Sequence, residues 1–255
     1  MSRLFLGAQH IHVGETTSTN TLAQQLLTDR PPEGTVISAD VQTQGRGQAG
    51  TTWTASSGQN ILMSVILYPK LAAPEAYALG QMAALAVWQC IHALDQDADL
   101  HIKWPNDILL EGHKIAGILI ENQLQGSRVH ATVIGIGLNV NQAVFPPQHR
   151  MPTSLFLHSG QTYELHDIQD RLLNSLEANY LRMRQHGAAS FKRDFEARMY
   201  GFQQTIPFIY DGETHHCKVL GTDKQGRLLL ETPDGSERSF GLKEIALEAS
   251  IPPRQ

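Results

Sequence analysis

Two stretches of the chain concentrate residues that handle negative charge. Residues 42–60 read Gln-Thr-Gln-Gly-Arg-Gly-Gln-Ala-Gly-Thr-Thr-Trp-Thr-Ala-Ser-Ser-Gly-Gln-Asn, with Arg46 held between Gly45 and Gly47. Connectors between elements are usually shorter and less specialised. Glycines let the backbone curl around an anion, and a guanidinium can fork onto phosphate or carboxylate oxygens. The second stretch is Lys103-Trp-Pro-Asn-Asp107 followed by His113-Lys-Ile-Ala-Gly117. It sets Lys103 and Lys114 in a mostly apolar hairpin, where a lysine either snorkels to solvent or neutralises charge beside a cavity. Trp104 is a stacking face or a core residue; Asn106 and Asp107 bond the turn backbone or orient a ligand. Gln42, Arg46, Lys103 and Lys114 thus form a cationic, hydrogen-bonding set with no strong general base. Such a set suits nucleotidyl or acyl transfer, in which charge stabilisation dominates, better than acid–base hydrolysis.

Other chemistries lack their signatures. The sequence has no GxxxxGK[ST] loop, no GxSxG elbow and no HExxH pair. Gly45-Arg-Gly-Gln-Ala-Gly50 matches GxGxxG in letters, but polar residues follow it where a dinucleotide fold needs an apolar helix. The tight histidine pairs are His10/His12 and His215/His216, each without an obvious third metal ligand.

The surrounding elements follow from periodicity. A strand is expected at 10–13, then a helix from about residue 20, with Ser18 or Thr19 as its cap and Pro31-Pro32 beyond its end. A strand at 35–41 delivers the glycine loop, and the apolar run at 61–68 reads as a strand covered on both faces. Pro74 opens a long helix to Leu94, followed by strands at 100–104, 107–110, 114–124 and 128–140. In the last of these, Gly135, Gly137, Asn139 and Asn141 share one face. That face suits close approach by a backbone or a flat ligand, or a sheet twisted by glycine. Helices at 166–185 and 189–200 come next, then short strands at 205–210, 215–222, 227–231 and 236–240 with Asp-Gly turns. The fold class is α/β (α+β): a main domain over 1–204 and a small β-barrel over 205–255.

The 255 residues are 41% hydrophobic and 18% charged, with a formal charge of -5. The balance is that of a globular protein and gives no sign of bulk nucleic-acid binding. No stretch is long and apolar enough for a bilayer, and the start lacks the apolar core of a signal peptide. Cys90 and Cys217 lie far apart. A disulfide between them is the less favoured alternative; Cys90, in an apolar helical pattern, reads as a packed thiol, and the class is that of a reducing compartment, most simply the cytoplasm.

With these residues in view, the sequence resembles biotin protein ligase, the biotin–[biotin carboxyl carrier protein] ligase. Ser18-Thr-Asn20, Gln42-Thr-Gln-Gly-Arg-Gly47 with Trp53, Lys103-Trp-Pro-Asn-Asp107 with Lys114-Ile-Ala-Gly117, and Gly135-Ile-Gly-Leu-Asn139 carry the likeness. Pro152-Thr-Ser154 and the run from Gly221 to Leu230 add to it, so it spans nearly the whole chain. The resemblance implies a mixed-sheet biotin/lipoate ligase-like domain with an SH3-like barrel at the carboxyl end. It implies that biotin and ATP form biotinyl-5′-AMP, and that a lysine of the apo carrier protein then takes the biotin. Magnesium accompanies ATP, with no protein ligand assigned. Ser18, Thr19, Asn20 and Gln42 would hold biotin; Gly45, Arg46 and Gly47 would lie over its carboxylate and the phosphate. Lys114 would contact carboxylate and acyl-phosphate oxygens, Gly117 would admit biotin to the backbone, and Asp107 would orient them. Gln48, Trp53, Asn106 and Asn139 would serve the adenylate. Lys103 would serve the phosphates or fix the hairpin. The carrier would be of the acetyl-CoA carboxylase type, the ligase a monomer or a homodimer.

The sequence departs from the longer family members in two places. They carry Gly-Arg-Gly-Arg-Arg-Gly where this chain has Gly45-Arg-Gly-Gln-Ala-Gly50. The change implies looser retention of the adenylate, or a compensating residue elsewhere. The first motif begins at residue 18, which leaves no room for an amino-terminal DNA-binding domain; a repressor role and a DNA partner are not expected. The alternatives are a lipoate–protein ligase and a non-catalytic biotin or adenylate sensor; a sensor should have lost Arg46 or Lys114.

Overall fold

The computed structural model describes residues 3–146 and 152–248. The main layer is a seven-stranded sheet built from β1 (His10–Thr16), β2 (Val36–Gln42), β3 (Asn60–Leu67), β4 (Leu100–Lys103), β5 (Asp107–Leu110), β6 (His113–Gln125) and β7 (Arg128–Asn139). Their order is β1-β2-β3-β7-β6-β5-β4; β1 and β2 run parallel, and every other pairing is antiparallel. The helices are α1 (Thr19–Leu26), α2 (Tyr77–His92), α3 (Leu155–Ser159), α4 (Leu165–His186) and α5 (Lys192–Glu196).

β3 is buried along its whole length, as its unbroken apolar run requires. One face of the sheet carries the main core beneath α2 and α4, where Val65, Met63, Ile134 and Ile136 meet Leu79, Met82 and Leu176. The opposite face holds a smaller apolar cluster under α1, made by Ala23, Leu27, Ile37, Ile66, Ala131 and Val133. That cluster covers only part of the face; the remainder, around Ser64, Gly135 and Gly137, stays polar or bare and is left for the site.

Several local expectations are corrected. β1 extends to Thr16, so α1 follows after a very short turn. Ser18 stands at the N-cap in extended backbone but makes no side-chain capping bond. Gln42 from the end of β2 takes that role: its Oε1 accepts from the Thr19 N–H at 2.8 Å. The helix expected at 189–200 is a 3-10 turn (Ala188–Phe191) followed by the short α5. α3 was not anticipated; it is capped by Ser154 Oγ, which accepts from the Leu157 N–H at 3.1 Å. Cys90 and Cys217 are free and buried, and burial pushes the Cys90 thiol up to about 12.

From Thr205 a second, antiparallel sheet forms from β8 (Thr205–Tyr210), β9 (Glu213–Thr222), β10 (Leu228–Glu231), β11 (Glu237–Phe240) and β12 (Ala246–Leu247), in the order β11-β10-β9-β8-β12. The expected barrel takes the form of a five-stranded sheet. Its edges β11 and the two-residue β12 share no ladder among the described residues. Residues 249–255 of the expected small domain lie outside the described ones.

The amino-terminal segment is fastened by one carboxylate. Glu177 of α4 accepts from the backbone N–H groups of Leu4, Phe5 and Leu6 at 2.6, 2.8 and 2.8 Å. Burial raises its pKa, but the three N–H groups and Arg3 outweigh burial and leave it below its ordinary 4.5. The folded state therefore favours the charged form, and this contribution is present above the ordinary carboxyl range and lost as pH falls through the lowered folded value. Glu177→Gln is expected to destabilise the protein by about 1–3 kcal/mol at pH 7. Urea unfolding of both proteins should show the gap closing on acidification; a gap constant with pH would refute the assignment.

Candidate functional site

The site starts from the β4–β5 hairpin and the first residues of β6. Lys103 and Asp107 face each other in the β4–β5 register, and Asp107 pairs with Gly117 of β6. A register shift between Ile108 and Leu109 brings Lys114 round to the same carboxylate. Asp107 Oδ1 lies 2.6 Å from Lys114 Nζ, and its Oδ2 lies 3.3 Å from Lys103 Nζ. Each oxygen takes one ammonium, so Asp107 is an orienting residue. Asn106 donates from Nδ2 to the Ile118 carbonyl at 2.7 Å, which locks the hairpin turn onto β6. The Trp104–Pro105 bond within that turn is cis. Trp104 resolves as a packing residue: it lies against the main core and donates from Nε1 to the Gly226 carbonyl at 2.9 Å.

The glycine loop closes on itself before it reaches the cavity. The Trp53 N–H donates to the Gly45 carbonyl at 2.9 Å and the Gly47 N–H to the Thr51 carbonyl at 2.7 Å. A Cβ on Gly45 would run into the Trp53 carbonyl oxygen, so the tight return needs glycine there. Arg46 at the tip forks onto Glu121 of β6, Nη2 to Oε1 at 2.6 Å and Nη1 to Oε2 at 3.2 Å. Asn20 joins the same carboxylate through Nδ2 at 2.9 Å.

A polar cluster at the start of α1 continues from there. Ser64 Oγ is fully buried and lies 2.7 Å from Thr19 Oγ1 and 2.6 Å from Asn20 Oδ1. Thr19 in turn donates from Oγ1 to Gln42 Oε1 at 3.2 Å. The glycine face of β7 is occupied by the protein's own side chains. A Cβ on Gly135 would collide with Asn20, and one on Gly137 with the Trp53 indole. The close approach predicted for a ligand is thus made by Trp53, whose Nε1 is buried without a hydrogen-bond partner among the described residues. Lys114 Nζ stands 5.5 Å from the centre of the Trp53 ring, and a Cβ on Gly117 would touch both.

These groups surround one cavity of about 430 Å³. Ser18, Thr19, Asn20 and Gln42 line one part of it; Arg46, Gly47, Gln48 and Trp53 line the loop side. Lys103, Asn106, Asp107, Lys114 and Gly117 line the hairpin side. Two predicted residues are not among the lining. Gly45 faces a groove on the other side of the loop. Asn139 is buried behind the sheet end, where its Nδ2 donates to the Thr153 carbonyl at 2.9 Å. Asn141 likewise fastens Tyr163, by bonds of 2.8 and 2.9 Å. Of the histidine pairs, His10 and His12 share Ser38 Oγ at 2.8 and 2.9 Å and His215 stacks on Tyr210; no group of three metal-binding side chains forms among the described residues.

The sequence reading missed Glu121 and Ser64. Strand alternation holds a signal for the first: counting by twos from Gly117 through Leu119 reaches Glu121 on the same face. An acid there lies within reach of the loop arginine, but nothing in the sequence alone says that the loop folds over β6.

Chemically, the arrangement gathers four cations (Arg46, Lys103, Lys114 and Lys243) about a polar, glycine-floored cavity with a single lining carboxylate among the described residues. It defines a site for anionic substrates whose reaction moves negative charge. The comparisons with known proteins agree in kind. Residues 13–139 match the model of the Biotin/lipoate A/B protein ligase family. The chain is 36% identical to the bifunctional ligase/repressor BirA of Bacillus spizizenii, covering 92% of this chain and 73% of that protein. It is 30% identical to the biotin--[acetyl-CoA-carboxylase] ligase of Paracoccus denitrificans over 88% of this chain and 95% of that one. Its fold is similar to that of the Aquifex aeolicus biotin protein ligase in complex with biotin and ATP, with a TM-score of 0.76, 23% identity and coverage of 95% and 100%. The chain belongs to the biotin/lipoate A/B protein ligase family.

The Arg46–Glu121 fork is half exposed, and a surface pair of this kind contributes about 1 kcal/mol or less. Glu121→Gln should free the loop tip and speed tryptic cleavage after Arg46 by up to about fivefold. Mass spectrometry of a timed digest reads this directly; an unchanged cleavage rate would show that Glu121 does not hold the loop.

Proposed function

We propose that the protein is an ATP-dependent biotin–[biotin carboxyl carrier protein] ligase that works in the cytoplasm. The observation that carries this reading is the convergence of Lys103, Lys114 and Arg46 on one cavity that a neutral hydrogen-bonding cluster also lines. A uniformly charged site would suit a nucleotide alone. A cavity with a cationic half and an amide–hydroxyl half suits a neutral ureido ring attached to a carboxylate.

In this reading Ser18, Thr19, Asn20 and Gln42 would bond the biotin ring, and Trp53 would wall the adenylate. The biotin carboxylate attacks the α-phosphorus, the bond to the β-phosphate breaks, and pyrophosphate leaves with the electron pair. Both reactants are anionic, so Lys114 and Arg46 would screen their repulsion and hold the mixed anhydride. Arg46 would leave Glu121 for the incoming anion, which couples loop position to ligand and keeps water from the adenylate. In the second step the neutral amine of the carrier lysine attacks the acyl carbon, the acyl C–O bond to phosphate breaks, AMP departs with the electron pair, and the amine's proton is released to solvent. Lys114 would again stand where charge grows. Asp107 would keep both lysines in place. Magnesium would enter on the phosphates: with Asp107 as the single lining carboxylate among the described residues, the donor set fits a metal held mainly by ATP oxygens.

Biotin, lipoate or octanoate supplied separately with ATP-Mg and an apo carrier domain tests the reading by carrier mass and pyrophosphate release. A gain with biotin alone is expected, and no gain on a competent carrier would sink it. Lys114→Ala should lower the adenylation rate by about 10²–10³-fold. Retention of the full rate would remove Lys114 from its assigned role.

A further inference from the structure

The cation balance of the cavity points to a residue outside the main sheet. Arg46 is held by Glu121, and Lys103 and Lys114 share Asp107. Lys243 lines the same cavity and, among the described residues, is its one cationic side chain without a carboxylate partner. It stands between β11 and β12, beside Leu242 and Ile245, which also line the cavity.

Its backbone gives a second observation. Lys243 adopts φ +67°, a left-handed conformation that costs a lysine more than it would cost glycine or asparagine. The turn around it is fixed independently of the lysine. Glu244 Oε2 accepts from the Gly241 N–H at 2.6 Å and from Arg227 at 3.3 Å. This exposed lysine sits in a turn braced by other residues and lines the cavity without a carboxylate partner, so its ammonium is available to an anion there.

We propose that Lys243 binds the departing diphosphate, holding the β- and γ-phosphates of ATP and the pyrophosphate they become. The inference rests on the ligase reading of the same cavity and adds the second sheet to its substrate contacts. As the bond from the α-phosphorus to the bridging oxygen breaks, negative charge moves onto the pyrophosphate. The glycine loop carries a single cation, Arg46, for this charge. Lys243 supplies another from the second sheet, so both sheets would contribute cations to the polyphosphate.

Calorimetric titration with inorganic pyrophosphate, together with steady-state pyrophosphate release at varied ATP, tests this on the full chain. Lys243→Gly and Lys243→Ala should each raise the pyrophosphate dissociation constant and the ATP KM by about tenfold, a usual effect of losing one charge-assisted contact. The biotin KM should stay within about twofold, and Lys243→Arg should stay close to wild type. Lys243→Gly relieves the backbone strain, so its Tm should equal or exceed that of wild type. A stable Lys243→Gly with unchanged pyrophosphate affinity and ATP KM overturns the proposal. If wild type binds pyrophosphate through Lys243 yet releases none with biotin, the anion site stands and the ligase reading falls.

Discussion

Positive charge beside an apolar core must be held against its own repulsion, and here one carboxylate does most of that work. Asp107 lies between Lys103 and Lys114, with one oxygen on each. Without it two ammonium groups would face a low-dielectric wall within a few residues of each other, and each would swing toward solvent. With it, both are directed into the cavity while the local charge stays positive. The hairpin, its register shift and the Asn106 bond to Ile118 all keep that carboxylate in place. The edge strand β4 and its neighbour β5 present this triad at one end while Leu100, Ile102, Ile108 and Leu110 pack into the main core.

The neutral half of the cavity depends on a different constraint, the division of one sheet face. α1 covers the upper part with a small apolar cluster and stops. Beyond it the face carries Ser64, Gly135 and Gly137 and meets Asn20 and Trp53 in place of aliphatic side chains. A face so poor in apolar groups adds little to stability. The deep core on the other face, beneath α2 and α4, supplies that stability and lets this surface be given over to recognition. The Trp53 indole packed on the bare β7 backbone also explains why the loop needs its glycines: the chain must return sharply at Gly45 to lay the ring there.

The second sheet is bound to the site as well as to the fold. Trp104, next to Lys103 in sequence, donates to Gly226 at the turn leading into β10. Tyr77 at the start of α2 packs on the same glycine, and burial raises its phenol pKa. Through these contacts the charged hairpin and the turn bearing Lys243 are referred to a common frame. The cavity is therefore a property of two sheets, although nearly all the predicted site residues come from the first sheet and α1.

By itself the sequence determined the elements and the chemical inventory. The unbroken apolar run of β3, the strand alternation of β7 and the Asp-Gly turns after residue 205 reflect local sterics and burial, which neighbouring residues largely dictate. Arg46, Lys103 and Lys114 stood out because cations in glycine-rich or apolar surroundings are costly unless used. What the tertiary structure decided was partnership. Ser18 looked like a cap, and Gln42 does the capping; Asn139 looked like a ligand contact, and it fastens Thr153 behind the sheet. Glu121 took Arg46, Asp107 took two lysines, and Lys243 was left without a partner at the same cavity. The Asp107 pairs close within one hairpin, whereas Gln42 with Thr19 and Glu121 with Arg46 join segments far apart in the chain. Which charge meets which depends on distances that only the folded sheets establish, because local sequence sets conformation but not long-range contact.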